Sequence, residues 1–370
     1  MLTNHIFFHD DVDGIISASI FLHDNINDRY RLYPLSSSMR GDKFNDLFYS
    51  VIKHKESKKI ILDYQYNEDA DLWVDHHFDP EFGECAIRNE NIIYDPKEKS
   101  AASLMAQATQ NLERSWSTCI SRDNLMMVNV VDSGSYASID QIFKDRSPIM
   151  ILRAYLERTF PVEMTYCRIV EIISYSNMNI EEALFKMKIG PYYVHELEKN
   201  AIQIKGSMIM VKKMSIVRQK RINQFPRYAE YFVMPELKYS LRLTQAGNNN
   251  IYFQLGYNSW QNESNKFNIG KILIQMNHIL IRGGGHFNVG GGTLKEENVE
   301  QFIDEISKIL NEEDTMEMEK YAVDSTDPVE KKATELIKEG SAKNIDDARE
   351  ASVKQLKKPE DSNGSEGKVQ

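Results

Sequence analysis

His9-Asp10-Asp11-Val12-Asp13-Gly14, residues 9–14, reads HDDVDG and follows directly on the apolar run Ile6, Phe7 and Phe8. An imidazole and three carboxylates in five positions, at the end of a run that reads as a buried strand, is a costly placement for charge unless a cation is held there. In an extended strand alternate side chains share a face, so His9, Asp11 and Asp13 are expected to project together and Asp10 to face the other way. Gly14 then lets the backbone turn into a helix.

Outward from that stretch, residues 1–130 alternate short apolar runs with helical ones: HIFF and GIISASIFLHDN, KKIILDY, DLWVDHH, then NIIYD and SAASLMAQATQNL. Strands alternating with helices predict a parallel sheet of βαβ type, whose carboxyl edge is where ligands bind. Further acidic and imidazole side chains stand where that edge should be. Asp63 closes KKIILDY, Asp75, His76 and His77 close DLWVDHH, and Asp132 follows an apolar run in NVVDSGS. Carboxylates converging without a cation repel one another, and divalent cations reverse that penalty. Oxygen donors with a few imidazoles favour Mn2+ first and Mg2+ second over thiolate-seeking metals. Four aspartates and two histidines match two adjacent ions, roughly 3.5–4 Å apart if one carboxylate bridges, a pair suited to hydrolytic attack at phosphorus.

At 370 residues the chain exceeds one ordinary core. No apolar run approaches the roughly 18 residues of a membrane span, and the start lacks the pattern of a secretory signal, so a cytoplasmic protein with no membrane partner is expected. Cys85, Cys119 and Cys167 stand in no metal-binding spacing and read as reduced and structural. His5, His23, His54, His195 and His278 have no partner motif and read as surface or core residues.

Residues 137–200 look helical; after Gly206 the texture changes to SMIMVKKM, YAEYFVM, KYSLRLT and IYFQLGY, strand-like runs with turn residues between them. Helices are expected near 269–277 and 295–310. The predicted domains are 1–200, a catalytic parallel-sheet α/β domain with a helical linker region; 206–311, a smaller α/β domain that binds substrate; and 312–370, a charged flexible tail with one transient helix near 329–339. Charge follows that division. Lysine and arginine number 21 against 31 acidic residues in 1–200, 14 against 8 in 201–311 and 10 against 16 in 312–370. The basic middle piece suits a polyanion.

The order HDDVDG, an aspartate closing an apolar strand, DHH, and a further isolated aspartate resembles the motif series of the DHH phosphoesterase superfamily. RGGGHFNVGGG, residues 282–292, is similar to the glycine-rich motif of the accompanying DHHA1 domain of RecJ-like exonucleases, nanoRNases and cyclic dinucleotide phosphodiesterases. The first motif, His-x-Asp-x-Asp-Gly, looks most like the archaeal RecJ-type and NrnB-type oligoribonuclease branches. The resemblance implies one metal held by His9, Asp11 and Asp63 and a second by Asp13, Asp63, His76 and Asp132. Asp75 would orient a ligand, and His77 would contact the scissile phosphate. In YDPKEKSAAS, Asp95 and Ser100 would shape the fold. Gly283, Gly284, Gly285 and His286, with Arg282 and Asn288, would seat a nucleotide, since glycines let backbone N–H groups approach a phosphate closely. The Ser-x-Arg strand of many DHHA1 domains reads IYFQLGYN here, with Gln254 and Gly256 in those places, so the grip would pass to Arg242, Arg282, Asn288 or Tyr257.

The implied activity is two-metal hydrolysis of phosphodiester bonds in short oligoribonucleotides. A RecJ-like single-strand DNA exonuclease and a cyclic dinucleotide phosphodiesterase are the enzymatic alternatives, and an inactive nucleic-acid-binding scaffold is the other. A pyrophosphatase is disfavoured, since that branch carries a second domain without GGGH. The expected partner is nucleic acid, short RNA in particular, and a homodimer is left open.

Overall fold

A computed structural model describes residues 3–36, 39–51, 57–79, 81–110, 120–220, 224–261, 265, 267–285 and 287–310. The tail, with its expected helix near 329–339, Cys119 and His286 lie outside the described residues. The chain divides into two compact units, one of Met1–Met208, Lys220–Leu237 and Trp260–Glu263, the other of Ile209–Gln219, Lys238–Ser259 and Ser264–Gln370. Each contains one six-stranded sheet, and the architecture is α/β throughout.

The first sheet has the order β2-β1-β3-β4-β6-β5. Its strands are β1 (Thr3–His9), β2 (Arg29–Leu35), β3 (Ser57–Leu62), β4 (Leu72–Asp75), β5 (Ile87–Arg88) and β6 (Ile92–Tyr94). All neighbours run parallel except β5, which pairs antiparallel with β6. Ile6, Phe7 and Phe8 are fully buried, as expected of a parallel strand covered on both faces. Helix α1 (Val12–Asp24) is buried along its first eleven residues, and α2 (Asp42–Val51) contributes Phe44 and Phe48 to a core with Phe7, Tyr64, Trp73 and Tyr94.

The sheet leads into α3 (Ala101–Gln110), α4 (Arg122–Ser133), α5 (Ile139–Lys144), α6 (Pro148–Thr159), α7 (Glu163–Tyr175), α8 (Ile180–Lys186) and α9 (Tyr192–Ile202). The β2 segment, RYRLYPL, was absent from the sequence expectation. Its charges and Pro34 obscure the strand pattern, and β2 tolerates them because it is an edge strand.

The second sheet has the order β11-β12-β10-β9-β8-β7, with β7 (Met208–Val211), β8 (Met214–Gln219), β9 (Tyr239–Ala246), β10 (Asn250–Tyr257), β11 (Leu280–Gly285) and β12 (Val289–Lys295). Its β8–β9 pair is parallel, whereas β9–β10, β10–β12 and β12–β11 are antiparallel. Leu241, Leu243, Phe253 and Leu255 pack with Leu273, Phe302 and Ile306 to form its core.

Two expectations are corrected. YAEYFVM is not a strand; it forms the short helix α10 (Ala229–Val233), because a brief buried apolar run has no periodicity that separates helix from strand. The boundary is also not a single cut near 206. Residues 220–237 and 260–263 belong to the first unit, where Phe232 packs on Phe143, the Tyr228 ring packs edge-on to Trp260, and Trp260 Nε1 donates to the Tyr136 carbonyl (2.9 Å). The helices expected near 269 and 295 are α11 (Ile269–Gln275) and α12 (299–310). Among the described residues no helix is long and apolar enough to cross a membrane.

Candidate metal centre

β1 ends at His9, Asp11 is the N-cap of α1 and Asp13 lies in that helix's first turn. The three are therefore not presented by strand alternation, as the sequence had suggested, but by the strand-to-helix turn. Asp11 Oδ1 accepts from Gly14 N–H (3.0 Å), a cap that starts the helix. Gly14 is required by close approach, since a Cβ there would lie 2.2 Å from the His9 carbonyl oxygen. Asp13 is anchored on α3: its Oδ2 and Oδ1 accept from the Ala101 and Ala102 N–H groups (2.7 and 2.8 Å) at the start of that helix. Ser100, whose Oγ accepts from Ser103 N–H (3.1 Å), caps the same helix, the fold-shaping role expected of it.

Asp63 stands just after β3 in the left-handed region, at φ +56°, a conformation that costs a non-glycine residue energy and that aspartate tolerates better than most. Its N–H donates to the Val74 carbonyl (2.8 Å), and its side chain is fully buried. The two carboxylate oxygens face different ways. Oδ2 lies 3.6 Å from His9 Nδ1, which is itself 2.7 Å from Asp11 Oδ2. Oδ1 lies 3.8 Å from His76 Nε2, which is 3.0 Å from Asp132 Oδ2 and 3.7 Å from Asp13 Oδ2. Three sets of side chains lie close enough to share a cation, His9–Asp11–Asp63, Asp13–His76–Asp132 and Asp63–Asp75–His76–His77; Asp63 belongs to the first and third, and its Oδ1 lies 3.8 Å from His76 Nε2 of the second. Asp132 comes from the last turn of α4, not from a strand end as the sequence suggested.

His76 and His77 leave β4 in opposite environments. His76 Nδ1 lies 3.3 Å from the Glu98 carbonyl oxygen. A carbonyl only accepts, so Nδ1 carries the proton, and in the neutral ring the Nε2 lone pair is aimed at three carboxylates. His77 Nδ1 lies 2.9 Å from Asp75 Oδ1, an oxygen that also accepts from the His76 and His77 backbone N–H groups (2.7 and 3.0 Å). Asp75 is thus an acceptor three times over and orients the half-exposed His77 ring. The orienting role implied for Asp75 applies to His77.

Titration reflects the crowding. Burial, then Asp13 and Asp11, push the Asp63 carboxyl well above its ordinary range. Burial and the neighbouring Asp132 carry Asp13 to about 7. Burial works against the charged form of His76, but the Asp132 hydrogen bond and the surrounding carboxylates raise it to about 9. Burial likewise opposes ionisation of Asp11, yet His9 holds its carboxyl well below the usual range. The Asp75 hydrogen bond raises His77. In the absence of a cation this cluster must retain protons.

The donor set fits divalent cations. Both Asp63 oxygens are buried without a hydrogen-bond partner among the described residues, and such groups are stabilised by a cation at which their lone pairs can converge. Asp10 belongs to none of these groups; its Oδ1 is 4.0 Å from His9 Nε2.

Arg40 was missed from sequence. Its guanidinium lies over the Tyr64 ring (5.7 Å to the centroid) and acts electrostatically on His9. The signal for it was its position just beyond β2 at the carboxyl edge of the sheet, which could be read only once β2 was recognised.

In the second unit, Arg282, Gly285 and Asn288 are exposed at the β11–β12 hairpin, where Asn288 Oδ1 accepts from Asn265 Nδ2 (2.9 Å). Several of the hairpin's glycines have a packing reason. A Cβ on Gly292 would lie 2.2 Å from the Arg282 carbonyl oxygen and one on Gly290 2.7 Å from that of Gly284, whereas Gly284 has room. Two of the alternatives for the missing arginine are buried. Tyr257 lies in the core against Tyr239, and Arg242 pairs with Gln254 across β9–β10 and is 6% exposed.

No family model matches the chain, and no curated protein matches it. Among solved structures it is similar to a pGpG-specific phosphodiesterase, PggH, from Vibrio cholerae, at 17% identity and a TM-score of 0.58, over 84% of this chain and 99% of that one. An exonuclease RecJ bound to manganese matches at 12% identity and a TM-score of 0.47, over 83% and 89% of the two chains. The DHH domain of a member of a family of ribosomal proteins matches at 14% and 0.46, over 83% and 87%. The chain shares the fold of the Vibrio phosphodiesterase over nearly all of that protein's length.

Proposed function

We propose that the chain is a two-metal phosphodiesterase that hydrolyses short oligoribonucleotides. The observation that carries this reading is the Asp63 carboxylate, buried and unpartnered, with one oxygen toward each ligand group. His9, Asp11 and Asp63 would hold one divalent ion, Mn2+ first and Mg2+ second, and Asp13, His76 and Asp132, with Asp63, the other. Such a pair supplies an activated water and charge stabilisation on the oxygens of an in-line displacement at phosphorus.

The remaining roles fall to the chain's own side chains. Asp75 fixes His77 Nδ1–H, so that His77 offers Nε2 at the solvent side of the cluster; its raised pKa favours the protonated ring, which donates to a phosphoryl oxygen as charge develops there. Arg40 adds a fixed positive charge on the His9 side. In the second unit, Arg282, Gly283, Gly284, Gly285, His286 and Asn288 are proposed to seat a nucleotide, consistent with the basic balance of residues 201–311.

A short substrate is favoured by the name of the phosphodiesterase that shares the fold, which is specific for pGpG. An inactive scaffold is disfavoured, since all six ligand positions are filled and grouped.

The test is kcat/KM, in Mn2+, on a ribodinucleotide, a long RNA, a long single-stranded DNA and cyclic di-AMP. The account expects the ribodinucleotide to be preferred. A preference for long DNA or for the cyclic dinucleotide would replace the substrate assignment. Asp63→Asn, which keeps a residue tolerant of the left-handed backbone, is expected to lose at least about a thousandfold in turnover, or about 4 kcal/mol. Its metal-free Tm is expected to equal or exceed that of the parent, because a buried repelling carboxylate is gone. Full activity in that variant would sink the two-metal reading.

A further inference from the structure

The first unit contains a second feature that the metal centre does not use, a pocket of about 730 Å3 along the open edge of β2, between α2 and α7. That volume lies in the ordinary range for a small-molecule site. Tyr33, Pro34 and Tyr166 contribute aromatic and ring surfaces, with Met39 and Cys167 beside them. Flat apolar walls of this kind suit a planar aromatic ring.

The polar groups define which ring. Asp10, Glu163 and Glu171 line the pocket, and among the described residues Arg168 is its one cationic side chain, so it is rich in acceptors and repels a phosphate. Those carboxylates form no group close enough to hold a metal ion among the described residues. Glu171 is partly satisfied, accepting from the Tyr30 hydroxyl (3.2 Å). The Asp10 carboxylate accepts from no other described residue at hydrogen-bond distance, His9 Nε2 being 4.0 Å away.

A carboxylate has two oxygens and can accept two donors side by side. Of the four RNA bases only guanine offers two adjacent donors, N1–H and the 2-amino group, on its Watson–Crick edge; adenine, cytosine and uracil each offer a single donor group there. We propose that this pocket seats a guanine base of the substrate, with N1–H and the 2-amino group donating to Asp10. Asp10 Oδ1 lies 4.0 Å from Nε2 of His9, a member of the His9–Asp11–Asp63 group, so a base held at Asp10 would keep its nucleotide beside that group. The assignment rests on the phosphodiesterase reading above and names the nucleotide it favours.

Its test needs no turnover. Dissociation constants of guanosine, inosine and adenosine 5′-monophosphates are measured on the full chain in Mn2+ by calorimetry. All three carry the same phosphate and ribose, and inosine differs from guanosine solely by lacking the 2-amino group. Guanosine monophosphate is expected to bind at least about tenfold more tightly than inosine monophosphate, as for loss of one hydrogen bond to a charged group. Asp10→Asn is expected to erase that difference. Equal binding of guanosine and inosine nucleotides by the parent, or an undiminished difference in Asp10→Asn, would overturn the assignment. A chain that prefers guanosine monophosphate but hydrolyses no phosphodiester keeps the pocket and loses the enzymatic reading. Hydrolysis with no base preference does the reverse.

Discussion

At the scale of single residues, the site is built from side chains whose second contacts fix what their first can do. His76 is held by a backbone carbonyl so that Nε2 faces the carboxylates, Asp13 is anchored by two helix N–H groups, and His77 is aimed by Asp75. Partners of this kind commonly carry one to two orders of magnitude in activity or affinity. Asp75→Asn puts an amide, which can also donate, where the acceptor of three hydrogen bonds stands, and so releases the His77 ring. Turnover is expected to fall about 10- to 100-fold with Mn2+ content unchanged, since the proposed ligands of both ions are other side chains and the Asp75 oxygen facing them is already the acceptor of three hydrogen bonds. Steady-state kinetics beside metal analysis separates this outcome from loss of the ions, which would show that Asp75 is itself a ligand.

At the scale of elements, the strand ends carry the first half of the site and helix termini the rest. The long apolar runs of β1, β3 and β4 were legible because fully buried parallel strands leave little else to read. β2 was not, since an edge strand accepts Arg29, Arg31 and Pro34, and with it Arg40 and the Asp10 pocket went unseen. The ligand residues were legible as an ordered set, but their placement was misread: Asp11 and Asp13 belong to the start of α1, and Asp132 to the end of α4. Alternation within a strand says nothing about a chain that has already turned into a helix.

The β11–β12 hairpin gives an element-scale test. Its glycines read as a phosphate cradle, yet Gly292 lies against backbone and Gly284 does not. Gly292→Ala is expected to cost about 2 kcal/mol or more, as overpacking against backbone does. Gly284→Ala should be close to neutral in Tm, so any loss of nucleotide affinity in that variant reports on the loop's binding role. Equal Tm values for the two variants would contradict the packing described.

At the scale of the whole molecule, charge is unevenly distributed along a chain of net charge −10. Residues 201–311 carry an excess of base and residues 312–370 an excess of acid. An acidic segment on the same chain competes with a polyanion for basic groups, and salt screens that competition. Removing residues 312–370 is therefore expected to tighten oligonucleotide binding at low ionic strength, with the difference fading as salt is raised. Unchanged affinity at low salt would dispose of a competing tail.

The central claim is that Asp63 joins two cation sites in one centre. Calorimetric titration of Mn2+ into the metal-free protein and into Asp63→Asn tests it most directly. Two ions per chain are predicted for the parent, with both sites weakened together in the variant. A single ion in the parent, or two ions bound undiminished in Asp63→Asn, would contradict it.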